Sequence, residues 1–227
     1  MKKFIVVVLV VLSIFSLNAC KKKDKDVNLT ECVSYAQTHL YSGEDANFQV
    51  MVSIGKKEKL FIADGKVENV ADFATVSVVP LNLNLANKTF KFALVADGGE
   101  VSGELKRDVV SNAYTANVEF GTFKDKLKSI KIYYDDKTVE VPLSNKLTNM
   151  LTWEQVLDIA KKELATEIKG NLDENGKLHR EICIKFIRDK RNPASPYFWY
   201  VSFIAEDGSY WALLIEPSKG EIITKKV

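Results

Sequence analysis

Few side chains downstream of residue 20 are of the types that carry nucleophilic or zinc chemistry. A serine or cysteine nucleophile usually works beside a base, and only His39 and His179 could supply an imidazole. Neither histidine lies in a recognisable catalytic motif. Zinc needs clustered cysteine and histidine ligands, whereas Cys32 and Cys183 are far apart in the sequence. We therefore expect neither a catalytic triad nor a zinc site.

Other signatures of cofactors and catalysis are weak or missing. Residues 173–176 (Asp-Glu-Asn-Gly) lack the alternating ligands and the terminal glutamate of a calcium loop, and they are expected to form a turn. The sequence has no glycine-rich phosphate loop, so no cofactor is expected. The chain is predicted not to be an enzyme. Paired carboxylates can nevertheless hydrolyse substrates without histidine or cysteine, and that alternative stays open at this point.

Two short segments near the C-terminus are rich in aromatic residues. In residues 197–204 and 210–215 both faces of an extended strand would be largely apolar. A strand of this kind needs cover on both faces, and one predicted helix can cover only one. Either other strands of the chain cover the second face or it binds a partner. The candidate partner-binding residues are Phe198, Trp199, Tyr200, Tyr210 and Trp211.

The first nineteen residues have the pattern of a secretory signal peptide. Lys2 and Lys3 precede an apolar run from Phe4 to Leu17, which would be about 21 Å long as a helix. The hydrocarbon core of a bilayer is about 30 Å thick, so a membrane-spanning anchor is the weaker interpretation.

The cleavage region resembles the lipobox of bacterial lipoproteins in the residues Leu17-Asn18-Ala19-Cys20. The resemblance implies that Cys20 is lipidated and becomes the first residue of the mature chain. Two acyl chains are enough for stable anchoring. Residues 20–28 are then a polar tether, and the protein is expected on the extracellular face of the cell membrane.

Removal of residues 1–19 takes away two lysines and no acidic residue from totals of 32 basic and 30 acidic residues. The mature chain therefore has a formal charge of zero, which argues against binding of nucleic acid. Once Cys20 is lipidated, Cys32 and Cys183 could pair or stay free, and so few cysteines favour the free state.

Residues 29–144 are predicted to form an antiparallel β-sandwich domain, Ig-like in class. Short apolar or alternating runs recur every eight to twelve residues, with turn residues at Asp64-Gly65, Asp97-Gly98 and Asp135-Asp136. Residues 29–41 fit a helix or a first strand, and we favour the strand. The predicted strands that follow are Phe48–Ile54, Lys59–Ala63, Thr75–Leu81, Thr89–Ala96, Glu100–Leu105, Ala113–Phe120, Ser129–Tyr134 and Thr138–Pro142.

Residues 151–227 are predicted to form a small α+β domain after a linker at 145–150. An apolar stripe from Trp153 to Ile168 indicates an amphipathic helix, which Thr152 and Gln155 would start as a capping box and Lys169-Gly170 would end. An antiparallel meander follows, with strands at Leu178–Arg188, Tyr197–Ile204, Tyr210–Ile215 and Glu221–Thr224.

This C-terminal segment resembles the PepSY domain of secreted metallopeptidase propeptides and bacterial surface lipoproteins. The likeness lies in the helix 151–164, in 197–203, in Asp207-Gly208 and above all in Ile215-Glu216-Pro217-Ser218-Lys219-Gly220-Glu221-Ile222. The resemblance implies restraint of a peptidase or contacts outside the cell, and it carries over no catalytic residue. Residues 41–44 and 54–58 look like β-rich regions of clostridial-type lipoproteins, which implies no function.

Together these patterns predict a non-catalytic surface lipoprotein that binds an extracellular protein, with a peptidase among the candidates. The membrane is the second expected partner, through the lipid on Cys20. The alternative is a cell-wall or small-ligand binding module that uses the loops of the β-sandwich.

Overall fold

The structure is a computed structural model that describes residues 27–108, 112–119, 126–188 and 195–227. The predicted signal peptide, Cys20 and most of the tether lie outside these residues. Strands make up most of the described chain and the helical part is small, which agrees with the mainly β class predicted from the sequence. Neither of its α-helices is long and apolar enough to cross a bilayer.

Thirteen strands and two α-helices follow one another along the described chain. The N-terminal strands are β1 (Val33–Glu44), β2 (Phe48–Glu58), β3 (Val70–Pro80), β4 (Phe90–Ala96), β5 (Gly99–Arg107), β6 (Tyr114–Glu119), β7 (Leu127–Tyr134), β8 (Lys137–Pro142) and β9 (Ser144–Asn145). The C-terminal elements are α1 (Trp153–Glu163), α2 (Ala165–Gly170), β10 (Glu181–Ile187), β11 (Phe198–Ile204), β12 (Tyr210–Ile215) and β13 (Ile222–Lys226). Two short 3-10 helices lie at Leu29–Cys32 and Leu83–Leu85.

The strands form one continuous hydrogen-bonded sheet rather than two separate ones. Their order is β13-β12-β11-β10-β1-β2-β3-β6-β5-β4-β7-β8, and β9 pairs with β1 beside this path. Neighbouring strands are antiparallel except β1 and β10, which are parallel. The antiparallel arrangement of the N-terminal strands agrees with the prediction, whereas the two-sheet division of an Ig-like sandwich is not confirmed.

One hydrophobic cluster holds the N-terminal strands together. The alternating residues Phe90, Phe92 and Leu94 of β4 are fully buried, as are Ile130 and Ile132 of β7. They pack with Phe48, Val50 and Val52 of β2 and with Ala74, Val76 and Val78 of β3. Because the apolar side chains recur with period two, each strand buries one face in this cluster.

The ambiguous segment 29–41 is resolved in favour of a strand from Val33 onward, after one 3-10 turn over Leu29–Cys32. Its parallel pairing with β10 was not predicted: Val33 lies opposite Ile182, and Ala36 lies opposite Ile184. Its first half therefore packs in the C-terminal cluster, with Ala36 and Leu40, while Tyr41 packs in the N-terminal cluster. The strand β1 is thus shared by both regions of the chain.

Two of the predicted turns are tight hairpins, and one predicted strand is wrong. Asp97-Gly98 joins β4 to β5, and Asp135-Asp136 joins β7 to β8, with Asp135 at a positive φ of 49°. Residues 59–63 are irregular instead of a strand, because Leu60, Phe61 and Ile62 are 73%, 49% and 54% exposed and so have no core to face. The strands on either side are longer than predicted.

The helix starts where the sequence predicts. The Thr152 hydroxyl accepts from the Gln155 amide, and the Gln155 side chain accepts from the Thr152 amide, which completes the capping box. The apolar stripe is buried at Val156, Leu157 and Ala160. A non-helical Leu164 separates α1 from α2, and α2 ends at Gly170.

The helices, the meander β10–β13 and the start of β1 share the second hydrophobic cluster. In the segment 145–150, predicted as a linker, Asn145 ends β9 and a turn follows. The Lys146 amide donates to the Leu40 carbonyl oxygen at 2.7 Å, and Leu147 packs against the second cluster. The domain boundaries at 29–144 and 151–227 stay a prediction.

Candidate functional site

The meander β10–β13 has one face packed against the helices, called here the helix-covered face. Alternate residues of three strands, among them Ile184, Trp199, Val201 and Leu213, share a cluster with Val156 and Leu164 of the helical segment. Trp199 is 1% exposed and Trp211 is 8% exposed. Two of the five candidate partner-binding residues are therefore core residues in this structure.

The intervening residues form the opposite side of the same strands, called here the open face. Strand register places Tyr200 between Lys185 and Leu214, and places Ile204 beside Tyr210. Most of these side chains are only partly buried, and Tyr210 is 39% exposed. The open face consists of Lys185, Ile187, Phe198, Tyr200, Ile204, Tyr210, Leu214 and Lys226, with the small residues named below.

Three of the five candidate residues, Phe198, Tyr200 and Tyr210, thus lie together on the open face. The alternation of side chains between the two faces of a strand, predicted from the sequence, correctly places Trp199 and Trp211 on the opposite face. Within the described residues, none of the three belongs to or packs against either hydrophobic cluster, so neither the two helices nor the N-terminal cluster covers them. The open face is the part of the candidate site that a partner could reach.

Small residues cross the middle of the open face. Cys183, Ser202 and Ala212 lie side by side on β10, β11 and β12, and Lys226 of β13 completes this row. The three small residues are buried, and larger side chains stand in the rows on either side of them. Tyr35 of β1 lies opposite Cys183 and extends the same row toward β2.

Lysine side chains lie over aromatic rings at both ends of this row. The Lys226 Nζ is 3.4 Å from the ring centroid of Tyr210, and the Lys185 Nζ is 5.0 Å from that of Tyr35. The Lys57 Nζ is 5.0 Å from the ring centroid of Phe73, which is itself 5.1 Å from that of Tyr35. Contacts at these distances hold each ammonium group close to the aromatic surface.

Unlike Lys225 on the helix-covered side, these three lysines lack carboxylate partners among the described residues. Lys225 precedes Lys226 in β13, and its Nζ lies 3.4 Å from a Glu163 carboxylate oxygen and 3.1 Å from one of Glu167. Across the described ranges, no carboxylate forms an ion pair with Lys57, Lys185 or Lys226. Within the described residues, the open face therefore carries two ammonium groups, those of Lys185 and Lys226, that have no carboxylate partner.

The phenols of this region are shifted toward their neutral form. Burial raises the pKa of Tyr200 above its ordinary value, and the nearby Tyr210 phenol adds to the effect, while Ser202 and Lys226 oppose it. Burial likewise raises the pKa of Tyr35. At neutral pH both hydroxyl groups keep their protons and can donate hydrogen bonds, so they present no negative charge to a partner.

A second unusual feature lies at the edge of this region, where two carboxyl groups are buried together. Glu181 begins β10 and has 0% exposure, and Glu58 ends β2 with 8% exposure. One oxygen of Glu58 accepts from the Glu68 amide at 2.8 Å. The other oxygen of Glu58 and both oxygens of Glu181 have no hydrogen-bond partner within the described chain.

Burial raises the pKa of Glu181 to about 7, and the carboxylates of Glu58 and Asp64 add to the shift, while the Ser34 hydroxyl opposes it. Two carboxyl groups so close in a dry environment favour a state in which one of them holds a proton. Glu181 has no exposed surface that a substrate could touch. In this conformation the pair is suited to hold a proton inside the fold.

The irregular segment 59–69 covers this carboxyl pair. Gly65 has a positive φ of 76°, and a Cβ built on it would lie 2.6 Å from the Cα of His179. Only glycine allows such a close approach of the two backbones. The segment also lines an open depression of about 330 Å³ beside Glu58, Asp64 and Glu68.

The histidines and cysteines form no catalytic arrangement in the described residues. His39 contacts the Thr38 hydroxyl and stacks on Tyr41, and the His179 ring lies 2.9 Å from an Asp173 carboxylate oxygen. Asp173 also caps the predicted turn by accepting from two backbone amides. Cys32 and Cys183 are buried and not bonded to each other. The described side chains include no group of three or more potential metal ligands.

Sequence reasoning missed the lysines, Tyr35 and the carboxyl pair. Lys185 is two residues after Cys183 and therefore points to the same face of β10. Tyr35 lies near Lys185 only because β1 pairs with β10, and nothing in either short segment predicts that pairing. Glu181 did carry a usable signal, because it stands at the start of the apolar run Ile182-Cys183-Ile184. A charged residue at the edge of a buried strand is rare unless it is paired.

Comparisons of the whole chain with models of protein families, with curated proteins and with solved structures found no match.

Proposed function

We propose that this protein is a cell-surface lipoprotein that binds an extracellular protein through the open face. The observation that carries the proposal is the half-exposed surface around Phe198, Tyr200 and Tyr210, which no helix of the described chain covers. Exposed contiguous aromatic residues are typical of interfaces, because they bury a large area with little loss of side-chain entropy.

The way in which the chain enters the fold supports this use of the open face. Val27 packs against the helix-containing cluster, and its carbonyl oxygen accepts from the Lys161 ammonium group of α1 at 2.6 Å. A lipid on Cys20 would be joined to Val27 by six residues, which extend to about 20 Å at most. Such a tether holds the helix side near the bilayer, so that the open face on the other side of the strands stays free for a partner.

The proposal includes the finer structural assignments made from the sequence. Residues 29–144 are proposed to form an Ig-like β-sandwich domain and residues 151–227 a PepSY-like α+β domain. The order of a capped helix followed by an antiparallel meander supports the second assignment. A peptidase is then the first partner to test, since the PepSY resemblance implies contacts of this kind.

The anchor is tested on the native protein by mass spectrometry of its amino-terminal peptide. We expect cleavage before Cys20 and a diacylglyceryl group on its sulfur. An intact leader or an unmodified cysteine would refute the lipoprotein part of the proposal. A Cys20→Ala variant should leave the membrane fraction.

The binding function is tested by cross-linking the mature chain to cell-envelope extracts. A Tyr200→Ser/Tyr210→Ser variant removes one partly buried and one exposed ring of the open face, and a Phe61→Ser variant removes an exposed ring of the segment 59–69 as a matched control. We expect a protein that is captured by the wild type and the control and lost from the open-face variant.

Two results would contradict the binding proposal. Capture that is equal for all three proteins would remove the open face from the function. Retention of purified peptidoglycan or glycans, unchanged in the open-face variant, would instead support the alternative of a cell-wall or small-ligand module. Turnover of any substrate by the mature chain would refute the non-catalytic character.

A further inference from the structure

We propose that the segment seated on the open face is acidic: a stretch of the partner protein in which Asp or Glu residues alternate with apolar ones. This inference rests on the proposed function and names the chemistry of its partner. Its basis is the placement of three ammonium groups, those of Lys57, Lys185 and Lys226, over aromatic rings at the two ends of the small-residue row.

Among the described residues that form this surface, the exposed charged side chains are all lysines. The acidic residue nearest to it in β10, Glu181, has no exposed surface and so presents no charge to a partner. Lys225, which points to the other side, already has two carboxylate partners. A partner carboxylate can therefore gain an ion pair with Lys185 or Lys226 without displacing one that exists in the fold.

The apolar part of the open face requires that the partner segment also carry apolar side chains. Phe198, Tyr200, Ile204 and Leu214 are partly buried, and Ile187 is 38% exposed. These side chains offer apolar area between the two lysine ends, where a purely ionic polymer would gain nothing. A strand-like segment matches this arrangement, because its side chains alternate between two faces.

A second copy of this chain is disfavoured as the occupant by charge. An isologous dimer through the open face would bring the same lysines of two copies together. An anionic membrane is disfavoured by the position of Val27, because the chain enters the fold beside α1 on the helix-covered side. An acidic protein segment satisfies both constraints.

The experiment measures binding of three matched peptides to the chain from residue 20 onward, by fluorescence anisotropy. Each 12-residue peptide alternates tyrosine with one other residue, which is Glu, Gln or Lys. We expect the Glu peptide to bind most tightly and to weaken as the salt concentration rises from 0.05 to about 0.5 M, since exposed charge pairs are screened by salt. Vesicles of phosphatidylglycerol serve as the membrane probe.

The decisive variant is Lys185→Glu/Lys226→Glu, which reverses two charges at exposed positions. We expect it to weaken binding of the Glu peptide by about tenfold or more, because like charges then face each other across the interface. The matched control is Lys106→Glu, an exposed lysine on the distant strand β5, which should change binding less than about twofold. Circular dichroism checks that both variants are folded.

Several outcomes would overturn the inference. Equal binding of the Glu and Lys peptides, no binding of any peptide, or binding that survives the double charge reversal would each do so. Stronger binding to the vesicles than to the Glu peptide would assign the lysines to a membrane. If the acidic peptide fails while the envelope partner is still captured through Tyr200 and Tyr210, the proposed function stands and only the acidic partner is refuted.

Discussion

Replacing Glu181 by glutamine should change how the stability of this protein depends on pH. The folded state raises the pKa of this carboxyl group from 4.5 to about 7, so the folded chain binds the proton more tightly than the unfolded chain does. Stability from this group is complete below about pH 4.5 and is lost as the pH rises through about 7. At about 1.4 kcal/mol per pKa unit, a shift from 4.5 to about 7 corresponds to about 3–4 kcal/mol at most.

The glutamine variant keeps the shape of the side chain and removes the ionisation. The stability of Glu181→Gln relative to the wild type should therefore increase between pH 5 and pH 8, by up to about 3 kcal/mol. All other titrating groups are present in both proteins, so the difference between the two curves reports Glu181 together with its coupling to Glu58. The measurement is urea unfolding followed by tryptophan fluorescence at pH 5, 6, 7 and 8.

A matched control is Glu206→Gln, since Glu206 lies exposed in the turn between β11 and β12. Its stability should follow the wild-type curve at every pH. If the difference between Glu181→Gln and the wild type is the same at pH 5 and pH 8, the argument from burial is refuted. If instead the wild type becomes more stable than Glu181→Gln as the pH rises toward 8, the predicted effect has the wrong sign. That result would show that the fold stabilises Glu181 as a carboxylate.

Three further predictions concern packing and capping. Trp199→Ala should lower the free energy of unfolding by about 3–5 kcal/mol in urea titrations, because it empties a fully buried position. Gly55→Ala should lower the melting temperature, since a Cβ would lie 2.2 Å from the Ala36 carbonyl oxygen, whereas Gly170→Ala meets nothing within 4 Å and serves as its control. Thr152→Ala should cost about 1 kcal/mol by loss of the cap, and Thr152→Ser should cost much less in the same titration.

The features that could be predicted from the sequence are those determined by residues only a few positions apart. The capping box joins Thr152 to a residue three positions later, and the helical stripe repeats within one turn, so both can be recognised in a short window. The hairpins at 97–98 and 135–136 are local in the same sense. The strand predicted at 59–63 failed because its apolar side chains suggest burial that the fold does not supply.

The features that could not be predicted depend on contacts between distant residues. The pairing of Val33 with Ile182 leaves no trace in either segment alone. The alternation of residues 198–204 could be recognised, but the choice of the covered face depends on where α1 packs. For this reason the sequence grouped Trp199 with Tyr200 as candidates, although the first is buried and the second is on the open face.

The parallel pairing of β1 with β10 also constrains the order in which the sheet can form. The edge of β1 around residues 33–36 gains its neighbour only when β10, which begins at Glu181, joins the sheet. A fragment that stops before residue 181 leaves this edge unpaired, and an unpaired strand edge is a template for aggregation. We therefore expect such fragments to aggregate more readily than the chain that includes β10.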